Sequence, residues 1–362
     1  MKSFFKTTLA GLIGSFIAIL LVILIGFIVI AGIVSSGDET VELKEKSILH
    51  LELKTPLADR SGTVPDLQNL KFNKKLGIRQ ITNLLEDAAQ DEKIEGIFIE
   101  PSIFVGGLAT TEELRNALLE FKKSGKFIIA YADLYTHKSY YLASVADKVY
   151  LNPAGMVQFT GLSAQIMFFK SMLDKVGIDP VIIRYGKFKS AVEPFMQNSM
   201  SEANREQTTK YITAFWNTMV EGISNQRQIS VEDLNKYADS LYISSAQNAL
   251  DYGLVDALLY KDQVEDELRK LTETELEKDL EYVALNKYAK ANNKFKITEK
   301  FSDNKIAVIY AEGGINTGKS DAETIGSESL AEEIRKVRKD STIKAIVLRV
   351  NSPGGSALAS EV

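Results

Sequence analysis

Residues 7–34 run for 28 consecutive positions without a charge and are dominated by Leu, Ile, Val, Ala and Phe. As a helix this run spans about 42 Å, more than the roughly 30 Å hydrocarbon core of a bilayer. A cleaved secretory signal has an apolar region of only about 7–15 residues followed by a small-residue cleavage site. The pattern therefore predicts an uncleaved anchor, with residues 1–36 forming a cytoplasmic stub and one transmembrane helix. Lys2 and Lys6 precede the run, whereas Asp38, Glu39 and Glu42 follow it. By the positive-inside rule the N-terminus lies in the cytoplasm. The bulk of the chain is then extracytoplasmic, periplasmic if the cell has an outer membrane, on a single-pass protein of the inner membrane.

Beyond the anchor the pattern alternates between strand and helix. Residues 47–54 alternate apolar and polar positions, residues 78–89 carry helical spacing, and residues 94–100 form a short apolar run, which together read as a βαβ unit. The same rhythm returns in residues 305–311, 329–339 and 343–350. A shift of 249 lays Leu76-Gly77 on Ile325-Gly326, Ile81 on Leu330, Leu85 on Ile334, Asp91 on Asp340 and Ile97 on Ile346. One unit is used twice. The first copy continues with helices expected over 111–123, 140–145 and 168–176, strands over 126–132, 148–151 and 180–185, and a long helix from a Ser201 cap to about Asn225. The expected organisation is a first α/β domain over 37–260, a charged helical linker over 261–304, and the start of a second domain over 305–362. Because the second copy stops just after a glycine turn, with no helix to cover its strand, the chain is expected to be a piece of something longer.

Composition narrows the chemistry. At roughly 150 residues per domain, 362 residues accommodate about two domains, and 45% hydrophobic with 25% charged residues is ordinary globular sequence. Without Lys2 and Lys6 the net charge of −5 becomes −7, 41 basic residues facing 48 acidic ones, so no nucleic-acid partner is expected. The chain has no cysteine and two histidines. Disulfides, thiolate metal sites, a cysteine nucleophile and a three-histidine zinc site are excluded, and no cofactor or metal is expected.

Residues 313–320 (GGINTGKS) match the P-loop spelling after a strand. A working P-loop opens a helix at its Gly-Lys-Ser; here Asp321 and Glu323 follow, and the helix is expected near Ser327, so a polar loop is the better reading. Asn351-Ser352-Pro353-Gly354-Gly355 ends a strand. It reads either as a tight turn or as a nest of backbone N–H groups open to an oxyanion, since glycine adopts conformations other residues resist. Lys189 lies in Arg184-Tyr-Gly-Lys187-Phe-Lys189-Ser-Ala-Val-Glu193-Pro-Phe195. A lysine that accepts a proton must have its pKa lowered from about 10.4 toward 8, which requires burial; Phe188, Ala191, Val192 and Phe195 could supply it. Glu193 reads equally as a surface partner of Lys189 or Lys187. His50, in mid-strand, reads as structural. His137, beside Lys138 and Ser139, is a poor candidate for a Ser-His pair, because sequence neighbours seldom supply both nucleophile and base.

Taken together, residues 185–195 (YGKFKSAVEPF), Met200-Ser201, Arg205-Glu206, residues 249–256 (ALDYGLVD) and residues 346–355 (IVLRVNSPGG) resemble the signal peptide peptidase A family, the membrane-anchored protease IV type, in its long two-copy form. The resemblance implies tandem Clp protease and crotonase-like domains and peptide hydrolysis by a Ser-Lys dyad. It puts the general base on Lys189 and the oxyanion hole on Gly354 and Gly355. It also implies hydrophobic peptide substrates left over from signal peptides, a homo-oligomer and contact with the membrane. In this family the serine lies one helix and one strand beyond the glycine turn, so Ser356 is not expected to be the nucleophile. The first copy's counterpart of that serine segment is His137-Lys138-Ser139-Tyr140-Tyr141, 30 residues beyond Gly107. The same spacing from Gly355 leads past Val362, so the nucleophile is expected outside this chain and the chain alone is expected to be inactive. A membrane-anchored scaffold with a degenerate protease fold is the alternative.

Overall fold

The computed structural model describes residues 2–35, 42–53, 57–66, 71–101, 106–292, 303–321 and 324–362. They fall into two compact units: a larger one of Lys44–Asp59 with Ile78–Leu285, and a smaller one of Met1–Leu43, Arg60–Gly77 and Asn286–Val362.

In the larger unit, β1 (Ser47–Glu52) is followed by α2 (Ile78–Gln90), β4 (Ile94–Glu100), α3 (Leu108–Lys122), β5 (Phe127–Tyr135), α4 (His137–Ala143) and β6 (Lys148–Val157). Then come α5 (Lys170–Lys175), α6 (Glu193–Met196), α7 (Glu202–Arg227), α8 (Val231–Asp239), α9 (Ala246–Asp251), β7 (Ala257–Leu258), α10 (Lys261–Leu271) and β8 (Tyr282–Ala284). Six strands form one sheet in the order β7-β6-β5-β4-β1-β8, every pairing parallel. Parallel sheets have both faces covered, so their central strands read as unbroken apolar runs, and Ile97, Phe98 and Ile99 of β4 are fully buried. One face receives Val264 and Leu268, one turn apart on α10, against Ile48, Phe98, Ile129 and Tyr150. The apolar stripe of α2, Ile81, Leu84, Leu85 and Ala88, is buried as well.

Two expectations change. Residues 261–284 are not outside this unit: α10 is part of its core and β8 extends the sheet beside β1. Their high charge lies on the outer face of an amphipathic helix and conceals the two residues that pack. Residues 180–185 form no strand. Val181, Ile183 and Tyr185 alternate as a strand would, each 90% or more exposed, but the segment has no ladder partner among the described residues.

The smaller unit opens with α1 (Lys2–Ser35), in which Thr8–Gly26 is long and apolar enough to cross a membrane, with mean hydropathy 2.8. A hairpin of β2 (Gly62–Asp66) and β3 (Lys71–Lys75) follows, and α11 (Leu285–Ala291) spans the boundary between the units. Next come β9 (Lys305–Glu312), β10 (Gly314–Asn316), β11 (Thr324–Gly326), α12 (Ser327–Lys339), β12 (Ile343–Asn351) and α13 (Ala357–Glu361). β9 pairs in parallel with β12, and β10 with β11. The repeat is exact in register. β1 meets β4 as Ser47 to Ile94 and then, after a bulge, Ile48 to Gly96; β9 meets β12 as Lys305 to Ile343 and then, after the same bulge, Ile306 to Ala345.

Candidate active site

Lys189 sits in a loop of the larger unit between α5 and α6. Its side chain is exposed, and the ammonium group has no hydrogen-bond partner among the described residues. The expected apolar cover is not formed around it: Phe188 and Phe195 are themselves substantially exposed. The backbone, by contrast, is fixed. Gly186 takes a positive φ of 104° and its carbonyl accepts from the Lys189 N–H at 3.5 Å, while the Lys189 carbonyl accepts from Arg184 Nη1 at 3.1 Å.

Glu193 was expected on the surface beside Lys187 or Lys189, but it is only 1% exposed. Lys187 pairs instead with Glu206 at 3.0 Å. The Glu193 carboxylate accepts from Ser201 Oγ at 2.6 Å, Asn204 Nδ2 at 2.9 Å, the Ser201 N–H at 3.3 Å and Arg184 Nη1 at 3.4 Å. Burial alone would raise its pKa. The hydrogen bonds from Ser201, Asn204 and Arg184 outweigh that and hold it below the usual carboxylate value. Sequence reasoning missed this role, because nothing in the local pattern tells a buried glutamate from an exposed one; the only hint was the Ser201 cap eight residues on.

In the smaller unit, Gly354 takes a φ of 101° and turns the chain after β12. The Gly354 carbonyl accepts from the Ile315 N–H at 3.0 Å, and the Ser356 N–H donates to the Ile315 carbonyl at 2.9 Å. The turn is thus pinned to β10, so closely that a Cβ on Gly355 would lie 2.1 Å from the Ile315 carbonyl oxygen. The Gly354 N–H is taken by Ser352 Oγ at 3.1 Å. The Gly355 N–H is left as the donor that these bonds do not use. Ser356 caps α13, its Oγ accepting from the Ala359 N–H at 3.2 Å. Lys189 and the Gly354-Gly355 turn belong to different units.

The first copy's turn has a different state. Gly107 is extended, with φ −63°, and caps α3, and the Gly106 carbonyl accepts from Lys138 Nζ at 2.6 Å. A cavity of about 510 Å³ opens here, lined by both glycines, Thr136, His137, Lys138 and Met219 among others. His137 Nε2 accepts from the Thr160 N–H at 3.2 Å, and the ring stands edge-on to Trp216. Burial pushes its pKa down. Ser139 is fully buried and bonds to Thr136, so the two do not form a Ser-His pair. His50 is structural, bonded to Glu100 at 2.6 Å and stacked on Phe98.

The P-loop spelling does not build a phosphate cradle. α12 opens at Ser327, not at Lys319, and the loop's own N–H groups at Gly318 and Ser320 donate to Ser327 Oγ and Ser329 Oγ. Among the described residues no group of three or more His, Asp or Glu side chains is placed to hold a metal.

A parallel α/β sheet unit of this kind, repeated at its start, fits the Clp/crotonase-like fold, and comparison with known proteins agrees. Residues 120–275, which include Lys189 and Glu193, match peptidase family S49. Protease 4 of Haemophilus influenzae is 32% identical over 360 residues, covering 94% of this chain and 58% of that protein. Protease 4 of Salmonella typhi is 36% identical over 293 residues, covering 78% of this chain and 46% of that protein. The chloroplastic serine protease SPPA of Arabidopsis thaliana is 31% identical over 305 residues, covering 83% and 45%. Segment 120–275 thus belongs to peptidase family S49, and over most of its length the chain is similar to these proteases. It spans about half the length of the curated relatives it matches.

Proposed function

We propose that this chain is the anchored, base-carrying part of a serine endopeptidase that degrades hydrophobic peptides left in the membrane, the remnants of signal peptides. The observation that carries the reading is a lysine whose backbone is clasped and whose amine is free, inside the matched S49 segment. In the dyad, the Lys189 amine takes the proton of a serine hydroxyl as it attacks the scissile carbonyl, and returns it to the leaving amine. The Gly354-Gly355 turn stabilises the oxyanion, with the Gly355 N–H as donor. Lys189 must be neutral to act, so the exposed amine is covered, and desolvated, only when a neighbouring segment or the substrate closes over it.

The dyad serine is neither Ser139 nor Ser356. Ser139 is buried in a cap and Ser356 is occupied as one. Copies assemble into a homo-oligomer, with α1 in the membrane, its N-terminus cytoplasmic and the remainder extracytoplasmic. The second reading, a non-catalytic scaffold, is favoured by the locked His137 and buried Ser139 of the first copy. One experiment separates them. In the complete gene product, assayed in membranes on an apolar peptide, Lys189→Ala should lower turnover by at least 10³-fold with the fold preserved, and residues 1–362 alone should be inactive. Full turnover by Lys189→Ala, or peptide cleavage by residues 1–362 alone, would overturn the dyad as assigned.

A further inference from the structure

Residues 177–192 contain no regular secondary structure, and their apolar side chains at Val181, Ile183 and Tyr185 project into solvent. Neither strand pairing nor core packing therefore fixes where Lys189 stands. What fixes it is a relay of polar contacts. Arg184 Nη1 reaches both the Lys189 carbonyl and the Glu193 carboxylate, and Glu193 in turn is held by Ser201 and Asn204 at the start of α7. Asn204 is itself fixed, accepting from Thr208 Oγ1 at 3.2 Å. From the lysine backbone to a 26-residue helix there are three links, and the buried charge of Glu193 would lose its ion-pair partner if Arg184 were lost.

We propose that Glu193 is a positioning residue for the peptidase reaction: together with Arg184 it clasps the Lys189 loop onto the first turn of α7 and so sets the place of the general base. Glu193 touches no substrate. The proposal rests on the reading of Lys189 as the base, and it explains why an ionised carboxylate is kept where burial disfavours it. The carboxylate accepts at both oxygens, from Ser201, Asn204 and Arg184, whereas a neutral amide would offer a single acceptor oxygen and attract the guanidinium that holds the Lys189 carbonyl less strongly.

The test uses the complete gene product in its membrane, with Glu193→Gln, Glu193→Ala and Arg184→Ala compared with Lys189→Ala. Amide hydrogen exchange should speed up at least tenfold over residues 184–192 in Glu193→Ala and Arg184→Ala, with α2 and the second half of α7 unchanged. The kcat should fall roughly 10- to 100-fold with KM within twofold, the cost of a base displaced by about 1 Å. Glu193→Gln, which keeps the shape, should recover part of the rate. Should Glu193→Ala fail to fold, Arg184→Ala at the more exposed end of the clasp reads the same loop. Unchanged exchange over 184–192 would overturn the clasp. Faster exchange with wild-type kcat would leave a structural tether and overturn the positioning role. Full activity in Lys189→Ala would sink the underlying dyad and the positioning role with it, a failure that the exchange data alone would not produce.

Discussion

The same βαβ unit occurs in the chain once inside a sheet and once with an open face. α2 and α12 are each 13 residues long and lie 249 positions apart, and the strands flanking them pair in one register, bulge included. Their surroundings differ. Leu85 is fully buried, whereas its counterpart Ile334 is 38% exposed. Ile97, Phe98 and Ile99 are completely buried, whereas Ile346, Val347 and Leu348 are each 45–50% exposed. Element length and register are thus set within about 50 residues of sequence by apolar period and turn placement. Burial comes from elsewhere: β5, β8 and the α10 residues Val264 and Leu268 cover the first copy.

The largest expected effect separates the copies by that cover. Leu85→Ala removes a side chain from a close-packed interior and should cost about 2–5 kcal/mol, whereas Ile334→Ala should cost about 0.5–1 kcal/mol because the side chain is only partly out of water. Urea unfolding read by hydrogen exchange over each helix measures both. Equal costs would mean that α12 is covered in solution as α2 is.

A smaller difference sits at one register position. Gly96 faces Ile48 in the first copy, and Ala345 faces Ile306 in the second. A Cβ at Gly96 would lie 2.4 Å from the Phe127 ring, so Gly96→Ala should destabilise the larger unit by about 1–3 kcal/mol. Ala345→Gly meets no such neighbour, and should cost only about 0.5–1 kcal/mol in backbone entropy. In a thermal melt, Gly96→Ala combined with Phe127→Leu should regain part of the loss, and a simple sum of the two single losses would show that the ring is not the obstacle.

The elements just compared were legible in the sequence because their information is local. The apolar stripe of α2, the β4 run, the Ser201 cap and the start of α12 at Ser327 all lie where spacing and capping residues predict. The misread pieces depend on distant partners. Residues 180–185 have the alternation of a strand but no ladder partner among the described residues, α10 hides two packing residues among charges, and Glu193 is held by residues 8–11 positions on in a segment with no period. Of the candidate site, the glycine turn at Gly354 could be read because a positive φ favours glycine. The clasp behind Lys189 could not, since it consists of contacts and not of a pattern.

The smallest expected effect sharpens the contrast between the two glycine turns. The second copy's turn, at Gly354-Gly355, contains no ionisable side chain. The first copy's has His137 and Lys138 beside it. Burial lowers the His137 pKa below the ordinary 6.5, and its Nε2 is already an acceptor from the Thr160 N–H, so the neutral ring carries its proton on Nδ1. A histidine whose folded pKa lies below its unfolded one binds fewer protons when folded. Its contribution to stability is therefore complete above about pH 6.5 and is lost as pH falls toward and through the folded value. The Cε1 proton resonance of His137 should titrate below pH 6.5. The stability of the larger unit should fall between pH 7 and pH 5 by more in the natural chain than in His137→Gln, which keeps an acceptor for Thr160 but cannot take up a proton. An identical pH dependence in the two proteins, or a His137 titration above pH 6.5, would mean that the ring is solvated in solution and that the first copy's cavity is open at its base.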